Sequence, residues 1–158
     1  MSSSQSVYPF GLASAPGRKR RIAVIAGDGI GPEVTAQALR AVDTLGVPLD
    51  IVHFPWSADH YLKTKETLPS GALADLRDNF DAIFFGALGD PRVPDGVVAR
   101  DVLLGLRFGL DLYLNLRPVQ LLDESLCPLK GKTRRDVKLW GLRENTEGPY
   151  VQMGGSFK

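Results

Sequence analysis

The chain has 158 residues, 44% hydrophobic and 23% charged, the composition of a globular protein rather than a disordered one. A net charge of +1 offers no basic stripe for nucleic acid, and no apolar run approaches the roughly 18 residues that a membrane helix requires. The single cysteine, Cys127, cannot close an internal disulfide, which fits a reducing compartment such as the cytoplasm.

Residues 1–20 are rich in Ser, Gly and Pro, carry no apolar periodicity, and read as a disordered N-terminal extension. Order is expected from Arg21. Ile22-Ala23-Val24-Ile25-Ala26 is a continuous apolar run, as a parallel strand covered on both faces requires. A turn, Gly27-Asp28-Gly29-Ile30-Gly31, leads into a helical pattern of Val34, Ala38, Ala41, Val42 and Leu45. Pro32 suits the first helical position, Glu33 complements the positive helix start, and Gly46 suits the stop. Residues 48–54 read as a second strand, 57–63 and 70–79 as helices, and 81–85 as a third buried strand ending at Gly86. This alternation is the grammar of an α/β sheet. Beyond it come a Pro- and Gly-containing loop over 89–97, a helix over 98–108, and strands over 111–116 and 137–142.

The turn at 27–32 invites comparison with a Rossmann loop, but it does not match G-x-G-x-x-G. Pro32 stands at the sixth position, and His53 and Phe54 occupy the place where an acidic residue would take the ribose. The alternative is a tight strand-to-helix turn that uses glycine for its backbone freedom. In either case, a loop at the carboxyl end of a parallel strand lies where ligands of open α/β sheets bind.

Arg107 interrupts the apolar stretch 103–106, while Arg117 and Arg143 end the two later expected strands. A guanidinium stays charged and presents a rigid fork matched to a carboxylate, so three of them suit a small polycarboxylate. The competing reading pairs each with a neighbour such as Asp111 or Glu144, or leaves it in solvent. Tyr150, seven residues after Arg143, is a possible proton donor beside positive charge, or else a packed loop tyrosine. His53 and His60 fall in different elements and make no metal pair.

Four segments in register, GDGIGPEV at 27–34, FFGALGDP at 84–91, LLGLR…NLRP at 103–118 and LRENTEGPY at 142–150, resemble one family. It is the metal-dependent β-decarboxylating dehydrogenases of isopropylmalate, isocitrate and tartrate. The resemblance implies an α/β fold with a parallel or mixed sheet flanked by helices. It divides the chain into the extension 1–20, a first α/β domain over 21–98, and the start of a substrate and dimerisation domain over 99–158. It makes Arg107, Arg117 and Arg143 the carboxylate holders and Tyr150 the catalytic proton donor. It sets Ile30, Gly86, Ala87, Leu88, Gly89, Asp90 and Pro91 beside an NAD nicotinamide. Leu103 and Leu104, where isocitrate enzymes carry polar residues, imply an apolar wall for an isopropyl group and so a 3-isopropylmalate-type substrate. Arg100 stands where that branch often has an acid, which leaves substrate and cofactor preference open, with tartrate-, malate- or isocitrate-type enzymes as the alternative.

Chains of this family are considerably longer. The resemblance places the general-base lysine, the aspartates that bind Mg2+ or Mn2+, and much of the homodimer interface outside these residues. The implied chemistry is oxidation of a hydroxy-dicarboxylate followed by loss of carbon dioxide. Residues 1–158 alone are then expected to be inactive, and a non-catalytic binding or assembly module is the alternative.

Overall fold

A run such as residues 22–26, apolar on both sides, is satisfied only in the middle of a covered sheet, and it lies there in the computed structural model. The structure describes residues 19–94, 96–151 and 153–157. Strand β1 (Arg20–Gly27) is central in a parallel sheet, with β2 (Leu49–Phe54) on one side and β3 (Ala82–Ala87) on the other. Ala23, Val24 and Ile25 are fully buried. The expected N-terminal extension lies almost wholly outside the described residues. The strand itself starts at Arg20, whose guanidinium meets Asp81 at 2.8 Å.

Helix α1 (Gly31–Thr44) carries a proline in its first turn, Glu33 beside it, and Gly46 in the left-handed region (φ +64°) just past its end. The short helix α2 (Ala58–Thr64) starts at Ser57, whose hydroxyl accepts from the His60 N–H at 3.2 Å. Helix α3 (Ala72–Asn79) precedes β3. Ala23 and Ile25 share a core with Trp56, Ala58, Ala72, Leu76, Val93, Val98, Val102 and Leu106. Two-residue alternation turns Val24 to the other side of the sheet.

The next helical stretch begins as a π-helical segment (Ala99–Leu104) and tightens into α4 (Gly105–Gly109). The expected boundary between 98 and 99 falls at its start, and Val102 and Leu106 on it pack into the same core as β1. An antiparallel hairpin follows, β4 (Leu114–Gln120) with β5 (Lys138–Glu144). Here the expected strand 111–116 is displaced. Asp111 turns left-handed (φ +53°) and the Leu112 N–H returns to the Arg107 carbonyl at 2.8 Å, so residues 110–112 close the helix before a strand can begin. Pro118 lies within β4, tolerated because each strand of a lone hairpin has an open edge.

Replacing Leu106 by Ala is expected to cost about 2–5 kcal/mol in urea unfolding and to lower amide protection in β1 as well as in the helix. Loss confined to the helix would show that the segment after 98 is an independent unit.

Candidate functional site

All three strands of the sheet are parallel, so their carboxyl ends collect at one edge, and the glycine turn and the loop after β3 meet there. The backbones touch. A Cβ added at Gly27 would strike the Ala87 carbonyl, and one at Gly31 or Gly86 would strike the Ala26 carbonyl. Asp28 locks this junction. Its N–H donates to the Ala87 carbonyl at 2.7 Å, and its buried carboxylate accepts from the N–H groups of Ala58 (2.8 Å) and Gly89 (3.1 Å). One side chain thus ties the first turn of α2 to the loop after β3. Ile30, 62% exposed, projects from the same turn.

Of the expected cofactor-facing residues, Gly86 and Ala87 end β3, and Leu88 to Pro91 form the loop that Asp28 holds. The Asp90 carboxylate is already engaged. Arg92 donates to it from Nη2 at 2.6 Å and Nε at 2.9 Å, and also reaches Asp59 at 2.7 Å. The Arg92 side-chain hydrogen bond is the first cause that pulls the Asp90 carboxyl from its ordinary 3.8 down to about 2.

The arginines are distributed by the helix and the hairpin. Arg107 and Leu103, one helical turn apart, line a cavity of about 690 Å3 with Leu106, Asn115 and Asn145 among its walls. Arg117 and Arg143 do not line it. In the hairpin register, however, Asn115 lies opposite Arg143 and Arg117 opposite Gly141, which puts both arginines on one face with Asn115. Arg117 Nε donates to Asn115 Oδ1 at 3.0 Å. The guanidinium of Arg143 lies 5.1 Å from the Tyr150 ring centroid.

Tyr150 lines a second cavity of about 540 Å3 with Arg100, Asp101, Leu104, Phe108 and Thr146. The helix stands between the two cavities, and Leu103 and Leu104 open onto different ones. Asn145 lines the first and Thr146 the second.

None of the three arginines makes an ion pair with a described residue, and for Arg143 the sequence shows the reason. Neighbours in a strand point to opposite faces, so Glu144 cannot reach Arg143. Glu144 instead accepts from the Thr146 hydroxyl at 2.7 Å and from the Glu147 N–H at 2.7 Å. With the Thr146 hydroxyl as first cause, these bonds bring its carboxyl down to about 2. The neighbour pairings weighed from sequence are therefore absent among the described residues.

Two residues escaped the sequence reading. Asp28 was visible only as part of a glycine turn, although an acid fixed inside GDG could have marked a loop anchor. Asn145 is only 6% exposed, its Oδ1 has no partner, and no pattern in LRENTEG signals that burial.

Residues 21–155 match the isocitrate/isopropylmalate dehydrogenase family. The chain belongs to that family. It is 44% identical over 142 residues to a 3-isopropylmalate dehydrogenase of Thermobifida fusca, covering 87% of this chain and 40% of that protein. A 3-isopropylmalate dehydrogenase of Mycobacterium tuberculosis (strain H37Rv) is 45% identical over 138 residues with the same coverages. Among solved structures, an isocitrate dehydrogenase from Methylococcus capsulatus superposes with a TM-score of 0.69 at 32% identity, over 88% of this chain and 38% of that one. A β-decarboxylating dehydrogenase from Thermococcus kodakarensis gives 0.62 at 32% identity, over 82% and 35%. The chain therefore spans about 40% of the length of the curated relatives it matches. The parallel sheet flanked by helices is the fold of this family.

Toward a nicotinamide, the carboxyl edge offers the exposed side chain of Ile30 and the backbone of the loop after β3. A divalent metal is different. Among the described residues no group of three or more His, Cys, Asp or Glu side chains could hold one.

The Asp90 pairing has a pH signature. A depressed carboxyl contributes stability that is fully present above its ordinary 3.8 and is lost as pH falls through about 2. An NMR titration is expected to place the Asp90 midpoint near 2, and Arg92→Ala should return it toward 3.8. A wild-type midpoint at the ordinary value would remove the pairing.

Proposed function

We propose that this chain supplies the substrate-binding arginines and the proton donor of an oxidoreductase that oxidatively decarboxylates 3-isopropylmalate with NAD. The observation that carries this reading is Arg107 on the wall of a leucine-lined cavity, with Arg117 and Arg143 together on one face of the hairpin and none of the three ion-paired with a described residue. A guanidinium fork matches a carboxylate, and Arg107 beside leucine side chains offers one to an anion with an apolar body. Identity of 44% and 45% to two 3-isopropylmalate dehydrogenases supports the same substrate class.

In this reading Arg107 grips one carboxylate by its fork, while Arg117 and Arg143 face the other from the hairpin. Asn115 fixes the angle of Arg117 through Nε. Leu103 and Leu106 receive the isopropyl branch, where each buried methylene contributes roughly 0.8 kcal/mol. Tyr150, its ring held under Arg143, returns a proton to the carbon left electron-rich when carbon dioxide departs. Because the helix separates Tyr150 from Arg107, the hairpin must close on the helix for one ligand to meet both. When bound, a nicotinamide supplies the hydride acceptor, and Ile30 with the loop 86–91 would flank it. No step is assigned to a divalent metal, since the described residues offer it no ligand set. The family's general base and homodimer partner belong to the reading, but this chain's described residues place neither.

A tartrate- or malate-type substrate is the second reading; Arg100, on the wall of the Tyr150 cavity, is ion-paired with Asp101 at 3.0 Å and does not decide between the two. The two separate on ligand choice, because only the first needs a branched alkyl group against leucine. Titration of the 158-residue chain with 3-isopropylmalate is expected to give saturable binding. Arg117→Ala should weaken it by roughly 2–4 kcal/mol. Unchanged affinity would take Arg117 out of the site, and tighter binding of tartrate would favour the second reading. With NAD and magnesium added, the same chain is expected to form no NADH above a buffer blank. Steady turnover would show a base within these residues.

A further inference from the structure

Asp28 takes no part in the proposed chemistry, yet its polar groups are all committed to backbone. Its N–H donates to the Ala87 carbonyl at 2.7 Å, and its own carbonyl accepts from the Gly31 N–H at 2.8 Å. One carboxylate oxygen accepts from the Ala58 N–H at 2.8 Å and the other from the Gly89 N–H at 3.1 Å. The residue is 7% exposed and makes no ion pair with a described residue. A buried carboxylate without a cation costs desolvation energy, which a plain loop tie would not require. What the carboxylate supplies is an acceptor oxygen for each of two segments, where an asparagine has only one. Buried and engaged at both oxygens, it is placed to hold backbone rather than ligand.

The segments it joins include both of those expected beside a nicotinamide. Ile30 stands two residues on in the same turn with its side chain exposed. Asp28 grips the other segment on both sides of Leu88, at the Ala87 carbonyl and the Gly89 N–H. Gly89 holds φ at +147°, a backbone state that residues with a side chain rarely adopt. A second tie runs from Asp90 through Arg92 to Asp59. The Arg92 and Asp59 side chains are 59% and 63% exposed, and water screens such a pair, so the buried tie is the stronger constraint. We infer that Asp28 is a positioning residue for the nicotinamide cofactor, fixing the loop after β3 against the turn that carries Ile30 without touching the cofactor itself. The inference rests on the NAD reading above and adds the residue that holds its two segments together. A loop already held in its binding conformation need not be ordered when the ligand arrives. Untethered, it lowers the apparent affinity by the fraction of time it spends in that conformation.

The experiment is a titration of the 15N-labelled 158-residue chain with NAD, following the backbone amides of Ile30 and Gly89. In the wild type both are expected to shift along one saturation curve. Asp28→Asn sets an N–H2 group against one of the two N–H donors. It should speed Gly89 amide exchange and weaken NAD binding, each by roughly tenfold, while the amide signals of the sheet stay dispersed. Gly89→Ala reaches the loop without altering Asp28. A Cβ there meets no atom within 4 Å, so the substitution acts through its backbone angle alone and should weaken NAD by a similar factor. Wild-type shifts at Ile30 alone, or unchanged NAD affinity in either folded variant, would overturn the inference and leave the cofactor reading standing. No shift at either amide in the wild type would overturn the inference together with the NAD reading. Where Asp28→Asn fails to fold, Gly89→Ala decides the matter.

Discussion

A guanidinium cannot give up its charge at any ordinary pH, so an arginine without a carboxylate partner must meet water or an anion. That constraint organises the functional half of this chain. Arg107, Arg117 and Arg143 have no ion-pair partner among the described residues, and for Arg143 the backbone supplies the reason. Strand alternation turns Glu144 away from Arg143, and the turn at 146–147 then captures that acid with a hydroxyl and backbone N–H groups. The turn takes up the counter-charge nearest Arg143, while Arg107 stands on the wall of the leucine-lined cavity.

Around this centre the acids serve as scaffold. Asp28 joins the glycine turn to α2 and to the loop after β3 through two backbone N–H groups, and Asp90 joins Arg92 and thereby Asp59. Carboxylates near the sheet's carboxyl edge are thus spent on holding loops in place, which keeps the backbone approach around Gly27, Gly31 and Gly86 as close as it is.

Much of the fold was legible in the sequence because its signals are local. The apolar run 22–26, Pro32 with Glu33 at a helix start, and Gly46 at its stop each imply one backbone state, and each element stands where its signal lies. The strand near Arg117 was misplaced because its start depends on how the preceding helix ends. Asp111 adopts a left-handed conformation there that no residue pattern announces. The π-helical segment was equally silent, and Leu103 and Leu104 on it line different cavities. The arginines were findable from type and position, but their surroundings were not. Whether Arg143 meets Glu144 is a question of strand register, and whether Asn145 is buried is a question of tertiary packing.

The central claim is that charge on the ligand, met by unpaired arginines, holds it in this chain. Affinity of the 158-residue chain for 3-isopropylmalate, measured beside that for its neutral dimethyl ester, tests this most directly. The account predicts saturable binding of the dianion that weakens as ionic strength rises, and no measurable binding of the ester. Equal binding of both, indifferent to salt, would contradict it.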